Sequence, residues 1–74
     1  MIVKKGQRIV VNHRRKGQFM GMAYKEFDTE DTPWYPITLA QEGLKGYSAR
    51  YGVAWNYGDK IPCRASIVDI TLGS

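Results

Sequence analysis

Short stretches of alternating residues are separated by Gly, Pro, Asn and Asp along the chain, and this punctuation most limits the possible folds. Such spacing is typical of a small all-β protein. Five strands are predicted: Arg8–His13, Gln18–Phe27, Trp34–Gln41, Tyr51–Tyr57 and Ile61–Leu72. Closing a sheet on itself removes the edges that a small isolated sheet would expose. We therefore expect the 74 residues to form one five-stranded barrel domain, SH3-like as first choice and OB-like as second.

The first two strands are predicted to pair as a hairpin. Gly17 ends the basic run of the connecting loop, where a residue of positive φ completes the turn. The second strand has apolar residues on both faces. Either this strand bends around a barrel at Gly21, or its outer face meets a partner.

Turn residues also shape the later strands. Pro36 indicates that the third strand is an edge strand or has only begun at that point. Gly58-Asp59 predicts a tight turn after the fourth strand. The alternation of the last strand shifts between Ile67 and Val68, so we expect a bulge there or a break after Pro62.

The charges are unevenly divided along the chain. Residues 1–25 contain seven Lys or Arg and no acid, a formal +7, whereas the remainder carries −3, for a net charge of +4. A cationic patch of this kind is suited to a polyanion. The predicted nucleic-acid-binding residues are Lys4, Lys5, Arg8, His13, Arg14, Arg15, Lys16 and Arg50. The alternative is a solvated loop whose charge only aids solubility.

A second candidate surface combines methionines with aromatic residues. The outward-facing residues of the second strand, together with an aromatic residue from the third, make an adaptable apolar patch. The predicted protein interface consists of Met20, Met22, Tyr24 and Trp34. This patch is suited to a peptide or a second copy of the chain, so a homo-oligomer is one expectation. The alternative is that these side chains complete the core.

The fourth strand carries a third aromatic group. Tyr51, Trp55 and Tyr57 alternate onto one face with Val53, and Tyr47 lies nearby. Exposed rings would let unpaired bases stack. A small barrel needs large residues inside, however, so we favour a core position for them.

Side-chain chemistry for catalysis is sparse. The chain has one His and one Cys, His13 and Cys63. Instead of a catalytic Cys–His dyad, we favour Cys63 as a small packing residue and His13 as a loop or strand-end residue. No zinc spacing or phosphate-binding glycine motif occurs, and we expect no cofactor. The acidic stretch Glu26–Asp31 lacks the pattern of a calcium loop, so we interpret it as a solvated loop.

The sequence also bears on location. No apolar run approaches the length of a membrane span, and the N-terminus lacks the order of a secretory signal. A single cysteine fits a reducing compartment, so we expect a cytoplasmic protein.

The leading hypothesis is a non-enzymatic barrel that binds nucleic acid through phosphate contacts from the basic hairpin. The alternative is an interaction module or homo-oligomeric adaptor that docks an acidic protein on the same face. A third class, an enzyme built at a symmetric interface, would depend on His13 or a carboxylate near a shared pore.

Overall fold

The computed structural model describes residues 1–42 and 55–73, and this part of the chain is all-β. Its strands are β1 (Ile2–Val3), β2 (Arg8–His13), β3 (Gly17–Ala23), β4 (Phe27–Asp28), β5 (Ile37–Leu39), β6 (Lys60–Ile61) and β7 (Val68–Leu72). A single turn of 3-10 helix, Ala65–Ile67, precedes β7. The strands form two antiparallel sheets, a pair β1-β4 and a five-stranded sheet in the order β6-β5-β3-β2-β7.

The hairpin of β2 and β3 is at the centre of the larger sheet. Its predicted first strand is confirmed, with the same bounds, and Gly17 takes the expected positive φ of 79°. Val11 pairs with Phe19, and both side chains face the core, because residues directly opposite each other share one face of a sheet. The next pair, Val10 and Met20, therefore lies on the outer face.

The core lies on the inner face of the five-stranded sheet. Its buried apolar residues are Val3, Ile9, Val11, Phe19, Ala23, Phe27, Tyr35, Ile37, Leu39, Ile61, Cys63 and Val68. Gly21 is in the middle of this layer. A Cβ built there would lie only 2.7 Å from a methyl group of Ile37 and 3.2 Å from one of Val11. The glycine thus permits close packing of neighbouring strands.

Two predicted strands are shorter than expected. β3 ends at Ala23, and Phe27, expected at its end, belongs instead to β4, which pairs with β1. β5 contains only the three residues after Pro36, because proline has no N–H to donate to a ladder. Tyr35 is nevertheless buried, as expected; its ring stacks on Phe27 with centroids 5.1 Å apart.

The predicted fourth and fifth strands also need correction. Positions 51–54 lie outside the described residues, and Tyr57 is in the turn that follows, 62% exposed rather than on a buried face. The Gly58-Asp59 turn itself is confirmed, with Gly58 at φ 89°. The break after Pro62 is also confirmed, since β6 ends at Ile61 and the chain resumes as a 3-10 turn before β7.

Candidate functional site

An open cleft of about 260 Å³ lies where the hairpin loop, the segment before β5 and the connection from β6 to β7 meet. Its lining residues are His13, Arg15, Lys16, Trp34, Pro62, Arg64 and Ile67. Three of the seven, Arg15, Lys16 and Arg64, are cations, and none is acidic. The cleft is consequently suited to an anionic ligand.

Backbone pairing brings two of these residues together from distant parts of the sequence. Trp34 and Arg64 form an isolated antiparallel bridge. The pairing continues on each side, where Tyr35 N–H donates to the Cys63 carbonyl at 2.9 Å and Ala65 N–H donates to the Pro33 carbonyl at 2.9 Å. The backbone beneath both side chains is therefore held in place.

The Trp34 indole is presented on the surface of the cleft. Its residue is 54% exposed, and the guanidinium carbon of Arg64 lies 5.4 Å from the centroid of its ring. A contact between an arginine and an aromatic face at an exposed site contributes about 0.5–1 kcal/mol. This contact restrains both side chains and leaves a large part of the indole accessible.

His13 lies beneath the loop and is only 4% exposed. Its Nδ1 accepts hydrogen bonds from the backbone N–H groups of Arg15 and Lys16, at 3.1 and 3.3 Å. Its Nε2 is 3.2 Å from the Pro62 carbonyl, to which it donates. These partners fit the neutral tautomer protonated on Nε2, because Nδ1 must be an acceptor.

The surroundings of His13 favour that neutral form. Burial lowers the pKa of the imidazole, and the positive charge of Lys16 lowers it further. The hydrogen bond to the Pro62 carbonyl raises the pKa, while the positive charge of Arg15 lowers it. His13 was predicted as a cation that contacts nucleic acid; in the structure it is buried, and its contacts orient the backbone of the two neighbouring cations.

The hairpin loop is tied to the far side of the cleft as well. Arg14 N–H donates to the Ile67 carbonyl at 3.1 Å, which joins the loop to the 3-10 turn. The ammonium of Lys16 lies 5.9 Å from the centroid of the Trp55 ring. Trp55 packs against the core, as the sequence favoured.

The structure divides the predicted basic residues into separate groups. Arg14, Arg15 and Lys16 follow β2, whereas Lys4 and Lys5 lie in the turn before it and Arg8 is its first residue. The six residues of β2 place these groups about 17 Å apart, at 3.3 Å per residue. Arg50 lies outside the described residues.

The predicted protein interface is divided as well. Met20 and Met22 share the outer face of β3, and each is partly buried. Tyr24 follows on the same side, where the Lys60 ammonium lies 4.8 Å from its ring centroid. Trp34, by contrast, pairs with Arg64 and lines the cleft. The four residues thus contribute to two surfaces.

Arg64 is the cationic residue of the cleft that the sequence interpretation missed. It stands alone between Cys63 and Ala65, outside any basic run. Thirty positions separate it from Trp34, and no local pattern relates the two. The one available signal was the predicted break after Pro62, which indicated that this segment leaves the sheet.

Cys63 lies next to the cleft but is almost completely buried. Burial raises the pKa of its thiol to about 12, with a smaller opposing effect of Lys16. The thiol is protonated at neutral pH, and the thiolate is the reactive form. This agrees with the interpretation of Cys63 as a packing residue.

The acidic stretch forms a local turn at Asp28. The carboxylate of Asp28 accepts a hydrogen bond from Glu30 N–H at 3.0 Å and lies 3.4 Å from the amino group of Met1. The Glu30 bond, followed by that amino group, lowers the pKa of Asp28. Within residues 1–42 and 55–73, no three His, Cys, Asp or Glu side chains are grouped as metal ligands.

Comparison with protein-family models, with curated proteins and with solved structures finds no significant match to the chain. In the part of the chain that the structure describes, no helix has the length and apolar character needed to cross a membrane.

Proposed function

We propose that this chain is a non-enzymatic, cytoplasmic nucleic-acid-binding protein, with its strands arranged as a small SH3-like barrel. The observation that carries the proposal is the cleft, which is lined by Arg15, Lys16, Arg64 and the exposed Trp34 and by no acidic residue. Cations neutralise phosphates, and an aromatic ring offers a surface to a base. A nucleic acid is the common biological polymer that presents both groups in alternation.

The preorganisation of the cleft supports the same proposal. His13 accepts hydrogen bonds from the backbone N–H groups of Arg15 and Lys16, and Arg14 N–H donates to the Ile67 carbonyl. A loop held in this way loses less conformational entropy when a ligand binds. The binding free energy of the phosphate contacts is then less reduced by the ordering of the loop.

The number of cations predicts the response of binding to salt. If all three contact phosphates, the logarithm of the binding constant for a single strand falls with the logarithm of salt concentration with a slope of about −2. Fluorescence anisotropy of labelled DNA and RNA oligonucleotides at several salt concentrations measures this slope. The expected result is binding that weakens steeply between low and physiological salt.

A matched pair of variants tests whether the cleft is the binding site. The first replaces Arg15, Lys16 and Arg64 by alanine, and the second replaces Lys4, Lys5 and Arg8, at the other end of β2, in the same way. Each removes three positive charges, so any effect of net charge is equal in both. We expect the cleft variant to lose most of its affinity and about 2 units of slope, and the control to bind with a smaller loss.

Equal losses in the two variants would mean that the charge acts without a defined site. Unchanged affinity in the cleft variant would refute the proposal. A greater loss of affinity in the control would indicate that nucleic acid binds instead around Lys4, Lys5 and Arg8, which are also predicted to bind it.

The alternative proposal is a protein-interaction module or homo-oligomer, and a different surface supports it. Met20, Met22 and Val10 lie together on the outer face of the sheet, and Arg8 is directly opposite Met22. Apolar residues beside cations are suited to an acidic protein partner. A chain that binds no oligonucleotide and has a mass in solution above 8.4 kDa would favour this alternative.

A further inference from the structure

We infer that the cleft selects single-stranded nucleic acid and that one unpaired base stacks on the Trp34 indole. This inference rests on the proposed function and adds the class of ligand. It assigns to Trp34, predicted from the sequence as part of a protein interface, a direct contact with a base.

The position of Trp34 provides the first argument. Tryptophan is enriched at interfaces, because it buries a large apolar surface on contact. Trp34 is 54% exposed, and the cleft that it lines contains three cations and no acid. A hydrophobic partner would have to desolvate those charges, whereas a nucleotide places its phosphate beside them and its base over the ring.

The restraint on the Trp34 backbone and side chain provides the second argument. The bridge to Arg64 and the two flanking backbone hydrogen bonds hold the Trp34 backbone. The Arg64 guanidinium restrains the indole. Little side-chain entropy then remains to be lost when a base stacks on the indole.

The position of Trp34 in the cleft favours an unpaired base over a paired one. Reading a groove requires an element that projects into the DNA, such as a helix or a two-stranded ribbon. Trp34 instead lines a concave site beside the hairpin loop. A paired base reaches such a site only after it is flipped out, which costs a few kcal/mol. Unpaired bases avoid that cost.

The test compares three probes of equal length: an oligothymidine, an abasic oligodeoxyribose phosphate, and a DNA duplex. All are labelled with fluorescein and titrated at one low salt concentration. Stacking of one base predicts that the oligothymidine binds about 5- to 150-fold more tightly than the abasic probe. Trp34→Ala should abolish this difference between the two probes, and Trp34→Phe should retain part of it.

Tyr57→Ala is the control, because Tyr57 is also an exposed aromatic residue but does not line the cleft. It should keep the full difference between the two probes. Measurable binding of the abasic probe by Trp34→Ala also reports that this variant is folded. Should that variant fail to fold, the Trp34→Phe variant provides the same comparison.

The outcomes separate this inference from the proposed function. Equal binding of oligothymidine and abasic probe by the parent chain, or duplex binding as tight as oligothymidine binding, would overturn the inference and leave phosphate binding intact. Absence of binding to any probe at low salt would overturn both. If Trp34→Ala still binds the oligothymidine more tightly than the abasic probe, the base stacks on a residue other than Trp34, which would also overturn the inference.

Discussion

His13 is predicted to stabilise the hairpin loop through its three hydrogen bonds, and His13→Phe removes all three while keeping a ring of similar size. The lost bonds are those to the N–H groups of Arg15 and Lys16 and to the Pro62 carbonyl. Each such bond contributes about 0.5–1.5 kcal/mol net. Because the loop groups are only partly buried and can turn to water, we expect a loss of about 2–3 kcal/mol.

The same residue predicts a pH dependence of the folding free energy. The pKa of His13 is lowered in the folded chain, chiefly by burial and then by Lys16. Between its folded and unfolded pKa values the unfolded chain therefore binds more protons, so stability rises with pH. The contribution is fully present above about pH 6.5, the usual value for histidine, and is lost as pH falls through the lowered pKa.

Urea denaturation followed by tryptophan fluorescence measures both effects, at several pH values between about 5.5 and 7.5. This range lies above the usual pKa values of carboxylates and below that of thiols. His13→Phe should be destabilised at the upper limit and should lose less stability than the parent as pH falls. His13→Asn keeps an acceptor close to the N–H groups of the loop and should recover about half of the loss.

Two results would refute this reasoning about His13. If His13→Phe stays within about 0.5 kcal/mol of the parent at the upper pH limit, the hydrogen bonds contribute little. If its pH dependence equals that of the parent, another group titrates in this range.

Two further predictions concern the core. Gly21→Ala should destabilise the chain by about 1–3 kcal/mol in urea, because the new methyl group would overlap Ile37 in a packed layer; a change below about 0.5 kcal/mol would indicate that β5 can move away. Cys63 should react with a thiol reagent about three orders of magnitude more slowly in the folded chain than in urea near pH 8, because its pKa is raised to about 12. Equal rates would contradict the buried position.

The parts of the fold that follow from local pattern could be predicted from the sequence. The alternation of β2 and the glycine at the end of its loop define a hairpin without reference to the rest of the chain. The break after Pro62 was equally visible. β1 was not predicted, because two residues, Ile2–Val3, carry no period and form a strand only by pairing with Phe27–Asp28.

Only part of the candidate site could be predicted from the sequence. The loop cations form a run and were predicted, while Arg64 is an isolated residue whose partner, Trp34, was placed on another surface. The hydrogen bonds of His13 to the loop backbone could not be predicted either, since a histidine beside arginines resembles a surface cation. Only its burial and the direction of its hydrogen bonds distinguish an orienting residue from a ligand-binding one.

The sequence by itself thus determined the all-β class, the central hairpin and the cationic character of its loop. These properties depend on neighbours within a few positions, where strand alternation and turn chemistry act. The tertiary structure alone decided which residues share the cleft and which basic residues lie apart from it. Those decisions depend on backbone pairing between segments as distant as Trp34 and Arg64, and the local pattern of residues does not encode such pairing.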